Sequence, residues 1–225
     1  MTVLHLADEG EAADLAAFLS RLIHYDRSAA VRLQAAGTAL AVFGRPPSFE
    51  VLAIRAVRLA KPYEDGLDVT LDVTVSAGEL LESVDESAAT AAVPAAVTGP
   101  PWAGVLPPRG GWRAEPGLPA PDALRAMVGA AVAEFRSRTQ ELAPEQRTRA
   151  ELDRIGGEIW SRTVGDTPLP VRAAHAAQSL GFLRSPHGAG GQALFSSGAW
   201  LRLRTPFGSI AVRRAGLGAL AVSVR

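Results

Sequence analysis

The sequence predicts an α+β fold in two units, and three observations carry that prediction. Apolar residues recur at helical spacing near the start of the chain, apolar–polar alternation follows, and helical spacing returns only after a proline-dense stretch. That stretch, residues 88–121, holds eight of the sixteen prolines. We therefore expect an acidic unit with a small antiparallel sheet and helices over residues 1–87 and a docked connector rich in Pro, Gly and Ala over 88–118. A basic unit of three helices ending in a β-hairpin is expected over 119–225.

The elements follow in chain order. Asp8 and Glu9 sit where acids favour a helix start, and Ala12, Leu15, Phe18, Leu19, Leu22 and Ile23 share one helical face. Strands are expected at 31–35, 38–43, 51–59 and 67–75. The last places Leu67, Val69, Leu71, Val73 and Val75 on one face and Asp68, Thr70, Asp72 and Thr74 on the other, as in a half-buried antiparallel strand. Gly37 and the pair Asp65 and Gly66 mark turns, and 78–85 reads as a short helix. Trp102, Val105, Leu106 and Trp112 make the connector too apolar for a solvated tether, so it is expected to run extended with its tryptophans docked. Beyond it, Pro121 and Asp122 open a helix carrying Leu124, Met127, Val128, Ala131, Val132 and Phe135 at helical spacing. A second helix after Pro144 carries Leu152, Ile155, Ile159 and Trp160, weakened at its centre by Gly156 and Gly157. A third runs from Pro170 to Leu180 and stops at Gly181. Strands are expected at 193–195, 200–204, 209–213 and 217–224, and no internal repeat is visible.

Composition excludes several function classes. With 225 residues and 48% hydrophobic content the chain can build real cores, which rules out global disorder. The absence of cysteine removes disulfides, thiolate metal sites and a cysteine nucleophile. There is no Gly-x-Ser-x-Gly elbow, Walker loop or His-Glu-x-x-His, so neither enzymatic activity nor a metal or cofactor is expected. The run His187 to Gly191 resembles an esterase oxyanion loop but has no partnering elbow and reads as a loop. His24 with Asp26 reads as a helix cap, and Glu79, Glu82, Asp85 and Glu86 as a solvated face. The uncharged stretch between Glu86 and Arg109 is broken by prolines, and the opening segment meets acid before any arginine, the reverse of a secretory signal. A cytoplasmic protein with no membrane partner is expected. The 42 alanines, and 22 arginines against the single Lys61, follow the bias of a high-GC bacterial coding sequence, so arginine abundance alone is no argument for nucleic acid.

Charge distribution is more telling than its sum. The chain is formally neutral, yet residues 1–119 hold 9 basic and 15 acidic side chains and residues 120–225 hold 14 and 8. No acid follows Asp166, while Arg172, Arg184, Arg202, Arg204, Arg213, Arg214 and Arg225 all do. Something negative must balance that stretch, within the molecule or on a partner. If 205–208 turn a hairpin, Trp200 faces Arg213, Arg202 faces Ala211 and Arg204 faces Ser209, with Leu201, Leu203, Ile210 and Val212 pointing inward. An indole among guanidinium groups can stack on a base while the arginines take phosphates. The same face also serves as a charged guard against aggregation at a terminal edge.

Three helices followed by a basic hairpin is the order of a winged helix. The segment PVRAAHAAQSLGFL resembles the first helix and turn of a helix-turn-helix, with Ala177 and Gly181 at small-x-x-x-Gly spacing. RSPHGAGGQALF cannot supply a recognition helix after it, because Pro186, Gly188, Gly190 and Gly191 forbid one. Alternatively 170–180 is the third helix and 192–214 the wing, leaving Arg172, His175 and Gln178 toward a groove. The function expected is thus a non-enzymatic regulatory or DNA-associated protein contacting phosphates of duplex DNA or another polyanion through Arg172, Trp200, Arg202, Arg204, Arg213 and Arg214. The alternative is a protein–protein interaction or structural module whose acidic and basic halves pair with each other or across a homodimer. The small side chains Ala123, Ala126, Ala130, Ala131 and Ala133 on one helix suit close packing of either kind.

Overall fold

The computed structural model describes residues 2–60, 71–184 and 191–214. Strand β1 (Val3–His5) leads into helix α1 (Glu9–Tyr25), whose N-terminus Asp8 caps by accepting the Glu11 N–H at 2.9 Å. Its buried residues, Ala12, Leu15, Phe18, Leu19 and Leu22, belong to the face that the spacing predicts. Strands β2 (Ala30–Ala36), β3 (Ala39–Gly44) and β4 (Leu52–Arg58) form an antiparallel meander, and β5 (Asp72–Ser76) pairs with the outer side of β2. The expected strand 67–75 is seen only in its second half. Its first half, with the Asp65 and Gly66 turn, lies outside the described residues, as do His187 to Gly190 and the expected strand 217–224. Helix α2 (Ala77–Glu82) ends earlier than expected because β6 (Val84–Asp85) pairs with β7 (Thr90–Ala92), and β7 with β1, in a small three-stranded sheet.

The second half starts with β8 (Arg113–Glu115) and continues through helices α3 (Pro121–Glu141), α4 (Arg149–Trp160) and α5 (Val171–Ser179). Gly156 and Gly157 do not interrupt α4, and a Cβ at Gly156 would lie 3.3 Å from the Trp160 indole. After α5 the chain turns at Gly181, whose φ of +77° is left-handed, and the Phe182 N–H closes on the Ala177 carbonyl at 2.7 Å. Strands β9 (Ala193–Ser197), β10 (Trp200–Thr205) and β11 (Gly208–Arg213) form a second antiparallel meander.

The two meanders, with β5 and β8 at the outer edges, make one eight-stranded antiparallel sheet in the order β5-β2-β3-β4-β11-β10-β9-β8. Its centre is the pairing of β4 with β11, with Ile54 opposite Ser209, Ala53 opposite Ile210 and Leu52 opposite Ala211. The architecture is α+β, with a small antiparallel sheet, a larger sheet, and helices. The β10–β11 hairpin is not at an edge: β4 flanks it on one side and β9 on the other. On the helical face Leu33, Val42, Val57, Leu201, Leu203, Ile210 and Val212 pack with α1, α2 and α5 in the main core. The opposite face carries a smaller cluster of Phe43, Leu52, Ile54 and Ala211, against which Trp102 and Leu106 of the connector pack. The connector also follows the edge of β5, where the Val97 N–H donates to the Thr74 carbonyl at 2.9 Å. Thus both faces of the central strands are covered, one by helices and one by residues 101–106.

Candidate functional site

The hairpin register is the one that its four-residue turn predicts: Trp200 faces Arg213, Arg202 faces Ala211 and Arg204 faces Ser209. Alternation sends Leu201, Leu203, Ile210 and Val212 into the core and sets Trp200, Arg202, Arg204 and Arg213 on the connector face. Each of these three arginines lies against a ring. Arg202 is 5.8 Å from the Trp112 centroid, Arg204 5.0 Å from that of Phe195, and Arg213 5.3 Å from that of Trp200. Among the described residues none of the three makes an ion pair. Arg204 and Arg213 are exposed, whereas Arg202 is half-buried beneath the connector. Burial, and after it the charge of Arg204, lower the pKa of Arg202. Its Nε is buried without a hydrogen-bond partner. An unsatisfied buried donor costs roughly 1–3 kcal/mol.

The other arginines that the sequence singles out are engaged with acids. Arg214 donates to Glu115 at 3.0 Å, and the Nε of Arg172 stands 4.0 Å from the Glu50 carboxylate, too far for a hydrogen bond. Arg184 pairs with Asp14 of α1. The pairs Arg184–Asp14 and Arg172–Glu50 join residues of the two halves, so part of the charge split is answered inside the molecule. A stronger junction lies beneath them: Arg55, 5% exposed, donates to Glu11 at 2.9 Å and to the Phe207 carbonyl at 2.8 Å, with Asp14 at 3.2 Å.

Two grooves open on the connector face. One, of about 430 Å³, is walled by Trp102 and Trp200 and lined by Arg45, Arg172 and Arg213, with Glu50 as its single carboxylate. The other, of about 370 Å³, holds Arg32, Arg109 and Arg202. There Arg32 is already held by Asp72 at 2.7 Å, and this hydrogen bond keeps the Asp72 carboxyl below its usual range. The sequence does not mark Trp102 and Arg45 as site residues, because they reach the hairpin only through the β4–β11 pairing and the fold of the connector. A larger cavity of about 750 Å³ lies beside α4 and is walled by Phe49, Phe135, Trp160 and His175. His175 stacks on Trp160 at 4.6 Å and meets Phe49 edge-on at 5.1 Å; burial lowers its pKa. Among the described residues no group of three or more histidines or carboxylates is placed to hold a metal ion, and no helix is long and apolar enough to cross a membrane.

Residues 1–104 match a family described as a domain of unknown function (DUF8010), and residues 107–217 match another described as a domain of unknown function (DUF8185). No curated protein matches the chain. The chain is thus similar to two domains of unknown function that meet within the connector, and the paired strands β4 and β11 at the centre of its sheet fall one in each.

Proposed function

We propose that this is a non-enzymatic, DNA-associated regulatory protein that contacts phosphates through the connector face of β10 and β11. The observation that carries the reading is the row of Arg202, Arg204 and Arg213: three guanidinium groups on one face, each laid on an aromatic ring, without a carboxylate partner among the described residues. Arginine's planar fork matches phosphate oxygens, and rings beneath it hold the fork in place. Trp200 adds a stacking surface and Arg172 lines the same groove, while Arg214 is held by Glu115. The winged-helix-like order of α3, α4, α5 and the hairpin belongs to this proposal, with the hairpin as the contacting element. Helix α5 contributes little to it, because Val171, Ala173, Ala174, Ala176 and Ala177 are buried.

The test is duplex-DNA binding by the full chain at two salt concentrations. The Arg202→Ala/Arg204→Ala double variant should bind more weakly, and its salt slope should fall by about 0.9 for each phosphate that it no longer neutralises. An unchanged slope in a folded double variant sinks the reading. A second reading, that the charge split serves to hold the halves together, is favoured by the pairs Arg184–Asp14 and Arg172–Glu50. It predicts no DNA affinity and a fold weakened by salt.

A further inference from the structure

The groove walled by Trp102 and Trp200 has more than the features of a general phosphate surface. We infer that it binds a nucleoside monophosphate, with the base against the indoles and the phosphate among Arg45, Arg172 and Arg213. The inference deepens the phosphate-contact reading and shares Arg172, Trp200 and Arg213 with it.

The pair of indole walls sets this cavity apart, and its volume and charge suit the same ligand. Its volume, about 430 Å³, is that of a small-molecule site rather than a flat contact patch. Its charge favours an anion, three guanidinium groups against one carboxylate; the groove of about 370 Å³ also holds three arginines but has no indole wall, and the larger cavity beside α4 sets Arg136 and Arg172 against Asp153 and Glu50. Its walls are two half-buried indoles, which offer π-faces to any base. Within the groove, the Arg172 Nε is buried without a hydrogen-bond partner, 4.0 Å from the Glu50 carboxylate, so a phosphate would be met by the two terminal nitrogens of this guanidinium.

Glu50 points to a nucleoside rather than to a bare phosphate or a phosphorylated phenol. A carboxylate repels phosphate, but it accepts hydrogen bonds from ribose hydroxyls or a base N–H. Glu50 stands in that position with a left-handed backbone, φ +52°, a conformation that a non-glycine residue holds only when its surroundings impose it. Non-catalytic binding is all that the groove's residues provide: they position a base, a sugar and a phosphate, and no nucleophile or acid–base pair lies among its six charged and aromatic members.

Calorimetric titration of the full chain with nucleoside monophosphates, the matching nucleosides and inorganic phosphate tests the inference. Saturable binding of a monophosphate is expected, with nucleoside and phosphate alone both far weaker. Arg45→Ala is the decisive variant, because Arg45 is exposed and has no ion pair among the described residues, so its removal leaves the fold intact. It should weaken binding by about tenfold or more, as expected for removal of one charge-assisted hydrogen bond. A terminally phosphorylated trinucleotide separates two sources of the same chemistry: tighter binding than the monophosphate assigns the groove to a strand end, weaker binding to a free nucleotide. No saturable binding, or binding indifferent to Arg45→Ala, overturns the inference. Arg202 and Arg204 lie outside this groove. Their double variant should therefore keep nucleotide affinity, and unchanged duplex binding in that variant would count against the DNA-contacting face alone.

Discussion

Arg55 shows how one side chain ties the two halves together. It sits on β4 but reaches Glu11 and Asp14 on α1 and the backbone carbonyl of Phe207 in the β10–β11 turn, with only 5% of its surface exposed. Taking a guanidinium out of water is costly, and that cost is offset here because both its terminal nitrogens have partners while Arg58 shares the Glu11 carboxylate at 2.8 Å. Removing one partner leaves the remaining charges buried and uncompensated. Arg55→Ala should therefore lower unfolding stability by about 3–5 kcal/mol, measured by denaturant titration. In a double-mutant cycle with Glu11→Gln the two losses should be markedly less than additive, and strict additivity would show that the two groups do not interact. None of this is legible in the sequence. An arginine in a β-type segment reads as solvent-facing, and what buries it is the approach of residues 207 and 11, which the spacing of strand residues does not report.

At the scale of elements, legibility follows the length of the periodic pattern. Helices α1, α3, α4 and α5 and the β10–β11 register are readable because each repeats its signal over two or more turns or several strand pairs. Strands β1, β6, β7 and β8 escape the pattern, being two or three residues long. Helix α5 carries a testable property that its pattern hides. His175 lies between the Trp160 and Phe49 rings, and burial lowers its pKa, so the folded state favours the neutral imidazole. The unfolded chain then takes up the proton first as pH falls. This stability is fully present above the ordinary histidine value and is lost as pH falls from there toward the depressed folded value. Thermal unfolding should show a decline as pH falls below about 6.5, the ordinary histidine value, ahead of the range in which carboxylates titrate. His175→Phe should flatten this decline, and an unaltered pH profile in that variant would place the titration elsewhere.

Seen whole, the molecule is two similar arrangements joined along one strand pair. In the first, α1 precedes the meander β2-β3-β4; in the second, α5 precedes the meander β9-β10-β11; the third strands of both, β4 and β11, pair antiparallel at the centre, as an approximate two-fold axis requires. The outer strand beside each meander, β5 or β8, comes after it in one half and before it in the other. A half alone would expose the edge of β4 or β11, the strip of Leu52 and Ile54 or of Ala211, and the inner face of the shared core. Unpaired edges of that kind lead to aggregation. The division into an acidic and a basic unit is legible in the charges, but charge does not show that the strands of both complete one sheet. A chain cut within residues 105–111 should therefore stay associated and folded. Either piece expressed alone should lack cooperative unfolding, and mixing the two should restore it. Circular dichroism and size-exclusion chromatography read both outcomes, and an independently folded piece 107–225 would contradict the dependence of β11 on β4. The distinction bears on function, because the groove of Trp102 and Trp200 takes Arg45 from one side of that pairing and Arg172 and Arg213 from the other: it exists only in the joined molecule.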